Sequence, residues 1–215
     1  TIAIMKLSDE YWPLLIQVYK KKPEGVKPIY SKKLVDVSLF LHIPPKELHK
    51  KMLELRKLDT PSVQHVWKEL AGNTYKLNKA VKRIKEHQGL GNADKFFEGV
   101  ETNESFERDF RPLEENPRMK PVQLIMILNL YFQLTPTTMV AETDEIQELA
   151  KLIKQPAKTI LEVMELFQYC DPYLNRDGKP NHPLFAVCKE IWNRFGNDDI
   201  EKLEALAAQL REYFK

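Results

Sequence analysis

Apolar residues recur along this chain at spacings of three and four, the period of helices that bury one face. Tyr11, Leu14, Leu15, Val18 and Tyr19 form the first stripe. Ser8, Asp9 and Glu10 precede it as a cap with acids in the first turn, and Lys20, Lys21, Lys22 and Pro23 close it. Ser31 heads a second helix with Leu34, Val37, Phe40 and Leu41 inward, broken at His42, Ile43 and Pro44. Pro45 then suits the first position of a third helix, whose stripe is Leu48, Met52 and Leu55. Thr60 and Pro61 start a fourth, with Val63, Val66, Trp67 and Leu70 on one face, and Gly72-Asn73 ends it. A basic helix follows from Thr74 to His87, with Gly89 as its stop. Further on, helices are predicted near 120–134, 143–154, 156–170, 183–195 and 198–214, and a turn-rich loop from Asn175 to Pro180. No segment predicts a strand, so the fold class is all-α.

The pattern repeats at an offset of 112 residues: residues 12–60 align without a gap onto 124–172. Tyr19 falls on Tyr131, Pro44 on Pro156, Lys46 on Lys158, Met52 on Met164 and Asp59 on Asp171. These identities are few, and the apolar register is the stronger signal. Leu34/Ile146, Val37/Leu149, Leu41/Ile153, Leu48/Ile160 and Leu55/Phe167 pair apolar with apolar, and a tryptophan helix follows each block, with Trp67 and Trp192. The expected architecture is two tandem helix-turn-helix-like modules, residues 1–88 and 119–215, joined by a helical connector at 89–118. The connector holds Phe96, Phe97 and an acidic stretch ending at Pro117.

Charge divides the chain along the same line. Residues 1–88 hold 18 Lys and Arg against 9 Asp and Glu, a net of +9; residues 89–215 hold 15 against 22, a net of −7. A basic first half points to a polyanion partner, and an acidic second half points elsewhere. The two halves also complement one another, so attraction between copies is a competing expectation. Ordinary hydrophobic content predicts a globular protein, and no apolar run reaches the length of a membrane span. Thr1 to Lys6 is too short for a signal peptide, and the missing initiator Met points to sequence upstream. Cys170 and Cys188 stand apart from any metal spacing and are expected as reduced core thiols in a cytoplasmic protein.

The second and third helices of each block have the layout of a helix-turn-helix, in which the second helix enters the major groove of DNA by its N-terminal residues. With Leu48, Met52 and Leu55 inward, the opposite face carries Lys46, His49, Lys50, Leu53, Glu54 and Lys57. Lys20 to Lys22, Lys27, Lys32 and Lys33 lie nearby in sequence. Together they form a candidate phosphate-tracking surface, with His49 as a candidate base contact. Lys76, Lys79, Lys82, Arg83 and Lys85 on the basic helix add to it. Arg56 is the sole arginine of the candidate recognition helix and lies late in it, which argues against guanine readout. The same rotation in the second block exposes Lys158, Leu161, Glu162, Glu165 and Tyr169. That face would repel phosphate and fits protein contact or self-association. Helix pairs of this kind are also common where nothing binds DNA, and lysine-rich faces are often only solvated.

The series Leu128-Asn-Leu-Tyr-Phe132, Ile146-x-x-Leu-Ala-x-Leu-Ile153 and Pro156-x-x-x-Ile160-x-x-x-Met164-x-x-Phe167-x-x-x-Asp171-Pro172 resembles the N-terminal helical module found ahead of HNH-type nuclease domains in bacterial restriction endonucleases. The match covers residues 121–172 and, more weakly, 12–61. Where the family has a Pro-Phe-Gly-like loop, this chain has Thr135-Pro136-Thr137-Thr138, and where the family has a Ser-rich helix start, it has Pro156-Ala157-Lys158-Thr159. No nuclease domain follows in this chain. The resemblance implies a DNA-associated, restriction-like accessory module and does not imply cleavage.

No catalytic constellation is legible. His42, His49, His65, His87 and His182 make no HxxxH or HExxH spacing, and the two cysteines rule out a metal finger. Gly89-Leu-Gly91 lacks a preceding strand and a third glycine, so no dinucleotide loop is predicted. A Cys188/His182 nucleophile pair has no oxyanion site beside it. Trp12, Trp67 and Trp192 read as core anchors. The expectation is a non-catalytic protein without cofactor or metal.

Overall fold

A computed structural model describes residues 11–87 and 104–215. The chain forms two compact units, Thr1–Asn103 and Glu104–Lys215. Among the described residues all regular structure is helical, and no helix is long and apolar enough to cross a membrane. The predicted Ser8 cap and the Phe96-Phe97 segment lie outside the described residues.

The first unit contains α1 (Trp12–Lys20), α2 (Lys32–Leu41), α3 (Pro45–Lys57), α4 (Pro61–Leu70) and α5 (Thr74–His87). Helix α1 buries Trp12, Pro13, Leu14, Leu15, Ile16 and Val18, so it is apolar nearly all round. Such a helix belongs at the centre of a bundle, and α1 packs against α2, α3, α4 and α5. Its neighbours bury one stripe each. Leu48, Met52 and Leu55 of α3 are fully enclosed, as their spacing predicts. In α2 the enclosed set is Leu34, Val35, Ser38 and Leu41, while Val37 and Phe40 are half-buried, so the helix is turned slightly from its predicted face. Ser38 meets the demand of burial by donating its hydroxyl to Leu34 O at 3.0 Å.

The breaks between helices follow local chemistry. α2 stops at His42, which takes left-handed geometry with φ 55°, and Pro44 precedes the first turn of α3. Thr60 Oγ1 accepts the Val63 amide at 3.3 Å and Pro61 begins α4. Asn73 Oδ1 accepts the Lys76 amide at 2.9 Å and so starts α5. Ser31 occupies the N-cap position of α2 but its hydroxyl makes no capping bond, which corrects the cap expected there. Its backbone carbonyl accepts the Leu34 and Val35 amides instead, at 3.0 and 2.9 Å.

The second unit contains α6 (Glu104–Asp109), α7 (Pro121–Gln133), α8 (Asp144–Ile153), α9 (Ala157–Cys170), α10 (Phe185–Phe195) and α11 (Ile200–Leu210), with short 3-10 turns at Pro136–Thr138 and Arg211–Phe214. Here α7 is the central helix and packs against α6, α8, α9, α10 and α11. Trp192 anchors an aromatic cluster with Tyr131, Phe132 and Phe167, at ring-centroid distances of 5.8, 5.4 and 6.3 Å. Of the expected connector, residues 89–103 lie outside the described residues, and 104–118 pack as part of the second unit. Phe110 stacks edge-on to Tyr213 at 5.1 Å, and Arg194 grips Asp109 through two bonds of 2.7 and 2.8 Å.

Candidate nucleic-acid interface

The outward face of α3 is basic but partly self-neutralised. Lys46, Lys50 and Lys57 are exposed. Lys50 pairs with Glu47 at 3.0 Å and Lys51 with Glu54 at 3.0 Å, whereas Lys46 and Lys57 have no ion pair among the described residues. Exposed i, i+3 pairs of this kind hold their cations weakly, so a phosphate can displace them. His49 is half-buried, and burial pushes its imidazole below the usual histidine range. It is therefore neutral near pH 7, which suits hydrogen bonding better than phosphate pairing. Lys32 and Lys33 are exposed in the first turn of α2, with Lys33 Nζ donating to the Lys22 carbonyl at 3.1 Å.

Lys27 is a correction. It was expected on the phosphate-tracking surface, but it is only 5% exposed. Its ammonium donates to the carbonyl of Lys21 at 2.7 Å and to that of Pro23, tying the loop between α1 and α2 together. Burial, and then the charge of Lys33, push its pKa down. A buried ammonium held by carbonyls is a structural cross-link rather than a phosphate contact.

The second cationic group lies on α5. Leu77 and Val81 are buried and Ile84 is half-buried against the core, while Lys76, Lys79, Lys82, Arg83 and Lys85 are exposed. Lys82 meets Glu86 at 3.7 Å; Lys76, Lys79 and Arg83 have no ion pair among the described residues. α3 packs on α1, α2 and α4, and α5 packs on α1 and α4. Tyr75, absent from the residues predicted for the phosphate-tracking surface, is 75% exposed in the first turn of α5. Its position off the Leu77, Val81, Ile84 stripe was the available signal.

Comparison with known protein families, with proteins of established function and with solved structures finds no match to this chain.

The expected protein-contact face on α9 is modified by the loop that follows it. Leu161 and Glu162 are half-buried, with Lys158 3.9 Å from Glu162, and Glu165 is exposed. Arg176 folds back from the loop. It donates to Gln168 at 2.8 Å, approaches Glu165 at 4.0 Å and lies over the Tyr169 ring at 4.5 Å. Tyr169 is thus already engaged by a cation of its own chain. A different acidic feature emerges between α7, α8 and α11. There a cavity of about 270 Å³ has Met126, Leu130 and Leu149 as its floor, and Glu145, Glu148, Glu204 and Arg211 at its rim. Among the described residues no cluster of three or more His, Cys, Asp or Glu could hold a metal ion.

Proposed function

We propose that this protein is a non-catalytic nucleic-acid-binding protein whose first unit engages DNA through phosphate contacts. The carrying observation is the set of exposed lysines on α2, α3 and α5, of which Lys32, Lys46, Lys57, Lys76 and Lys79 have no ion pair among the described residues. Unpaired surface cations release no carboxylate when they meet phosphate, so the gain from counterion release is undiminished. The helix-turn-helix layout of α2 and α3 and the resemblance to the module ahead of HNH-type nuclease domains point the same way.

In this reading the second unit is a diverged copy of the first. Supporting it, α2 and α8 begin and end at positions 112 apart, and His42 and Lys154 close them with φ 55° each. Tyr19 and Trp67 meet edge-on at 5.4 Å, as Tyr131 and Trp192 do at 5.8 Å.

The test is fluorescence-anisotropy titration of labelled random duplex DNA with the full chain, from low to physiological salt. Micromolar binding that weakens with salt is expected, with the slope shallower by about 1 for each phosphate contact removed. A Lys46→Ala/Lys50→Ala variant that matches wild type in affinity and slope would sink the assignment to α3. Absence of binding at low salt to duplex and to single strand alike would sink the nucleic-acid reading altogether.

A second reading, a protein-interaction module, is favoured by the Glu145, Glu148 and Glu204 rim and by the opposed charges of +9 and −7. It expects salt-sensitive self-association in sedimentation experiments, and a strict monomer at both low and high salt counts against it.

A further inference from the structure

The most cationic helix of the first unit also presents an aromatic ring to solvent. α5 carries five Lys and Arg against one glutamate, whereas α3 carries five against two. At about 100° per residue, Tyr75, Lys79 and Lys82 fall within about 60° of one another, opposite the Leu77, Val81, Ile84 stripe. Lys76 and Arg83 lie together along one edge of this face. Among the described residues the Tyr75 side chain makes no hydrogen bond and no ring contact. An exposed ring beside unpaired cations offers a nucleobase a stacking face and its neighbouring phosphates their counter-charges.

Packing does not require this arrangement. In the second unit α11 buries Leu203, Ala207 and Leu210 at the same spacing and lies on central helix α7, as α5 lies on α1. At the positions matching Tyr75, Lys76, Lys79, Lys82 and Arg83 it has Glu201, Lys202, Ala205, Ala208 and Gln209. The same helical role is thus filled without an aromatic and with one cation where α5 has four. The ring and the charges of α5 answer to something outside the core.

We propose that α5 binds a single strand of nucleic acid, with Tyr75 stacking on an unpaired base and Lys76, Lys79 and Arg83 holding the adjacent phosphates. This rests on the reading of the first unit as a nucleic-acid binder, and it specifies which strand form is bound and where. A duplex keeps its bases stacked on each other and cannot offer one to Tyr75 without distortion. The site is therefore selective for unpaired strand while remaining tolerant of sequence, because every base has a face to stack.

The experiment measures binding of the full chain to labelled oligonucleotides of about 12 nucleotides. The probes are single-stranded DNA, single-stranded RNA of the same sequence and the matching DNA duplex, each titrated at several salt concentrations. Wild type is expected to hold a single strand more tightly than the duplex. Tyr75→Ala should weaken single-strand binding about 5- to 150-fold and leave the salt slope unchanged, because no phosphate contact is lost. Tyr75→Phe should bind as wild type does. Lys79→Ala should instead make the slope shallower by about 0.7. The DNA and RNA arms show which sugar is preferred, and the Tyr75→Ala deficit is expected in whichever binds. Circular dichroism of Tyr75→Ala should match wild type, since the ring packs against nothing described. Wild-type binding that Tyr75→Ala does not change, or tighter binding to duplex, would overturn the stacking site while leaving the phosphate reading standing. No wild-type binding to any probe would overturn both.

Discussion

The Tyr131 hydroxyl donates to Asp171 Oδ2 at 2.8 Å, across 40 residues of sequence. The bond joins the core of central helix α7 to the first residue beyond α9. Asp171 also accepts the Tyr173 amide on Oδ1 at 2.9 Å, so one carboxylate closes α9 and starts the loop after it. Burial, and then this hydrogen bond, push the Tyr131 hydroxyl well above the usual tyrosine range, so it stays a donor at every working pH.

Tyr131→Phe removes the donor and keeps the ring. It is expected to cost about 1–2 kcal/mol, the loss of a part-buried hydrogen bond to a charged acceptor. Thermal melting should report it as a loss of a few degrees, with the aromatic near-UV signal of Trp192 retained. A melt identical to wild type would show the bond to be replaced by water at no cost.

Gly196 sits against the ring of Trp192. A Cβ placed there would come within 2.7 Å of Trp192 Cδ2 and 2.8 Å of the Trp192 carbonyl oxygen. The indole has nowhere to retreat, because Tyr131, Phe132 and Phe167 hold it on other sides. Gly196→Ala is expected to destabilise the protein by about 1–3 kcal/mol through overpacking. Tryptophan fluorescence should shift with it. Unchanged stability in urea titration would refute the clash.

Asp109 and Arg194 form a two-bond pair at 2.7 and 2.8 Å that fastens α6 to α10. The hydrogen bonds to Asp109 raise the Arg194 pKa further, and burial opposes that rise only in part. Asp109→Asn and Arg194→Met should each cost about 1.5–3 kcal/mol, and the double variant less than their sum. Limited proteolysis should then reach residues 104–118 sooner in the single variants. Additive effects in the cycle would mean the pair is not coupled.

Burial pushes the Cys188 thiol up to about 12, with the neighbouring Cys170 adding to the rise. The folded state thus disfavours the thiolate. Its contribution to stability is complete below the ordinary thiol pKa of 9.0 and is lost as pH climbs toward about 12. The urea midpoint should fall between pH 8 and pH 10.5, and Cys188→Ala should flatten that slope. Iodoacetamide at pH 8 should leave Cys188 unlabelled until the protein unfolds.

Much of the helical plan is legible in the sequence. Pro45 and Pro61 start helices because a missing amide proton costs nothing in a first turn. Thr60 caps α4 through chemistry contained within four residues. The Leu48, Met52, Leu55 stripe faces the core because its spacing leaves it no other way to be buried together. Ser31 shows the limit of such reasoning, since a capping residue type in a capping position still makes no capping bond.

The candidate site is less legible, and the reason is distance along the chain. Counting charges identifies the first unit as basic, and helical rotation identifies which lysines point outward. Neither operation reveals that the carbonyls of Lys21 and Pro23 converge on Lys27, or that Arg176 returns over Tyr169.

By itself, the sequence determined the all-α class, most helix boundaries, the inward stripe of α3 and the opposed charges of the two halves. These depend on spacing, capping and composition, which act within a turn or two of the chain. Only the tertiary structure decided that α1 and α7 are central and that α3 and α5 both pack on α1 and α4. It alone showed that residues 104–118 belong to the second unit and that the Tyr75 ring is left uncovered. Those outcomes depend on which helix faces meet, and helices with equivalent stripes leave that choice to packing complementarity among all of them at once.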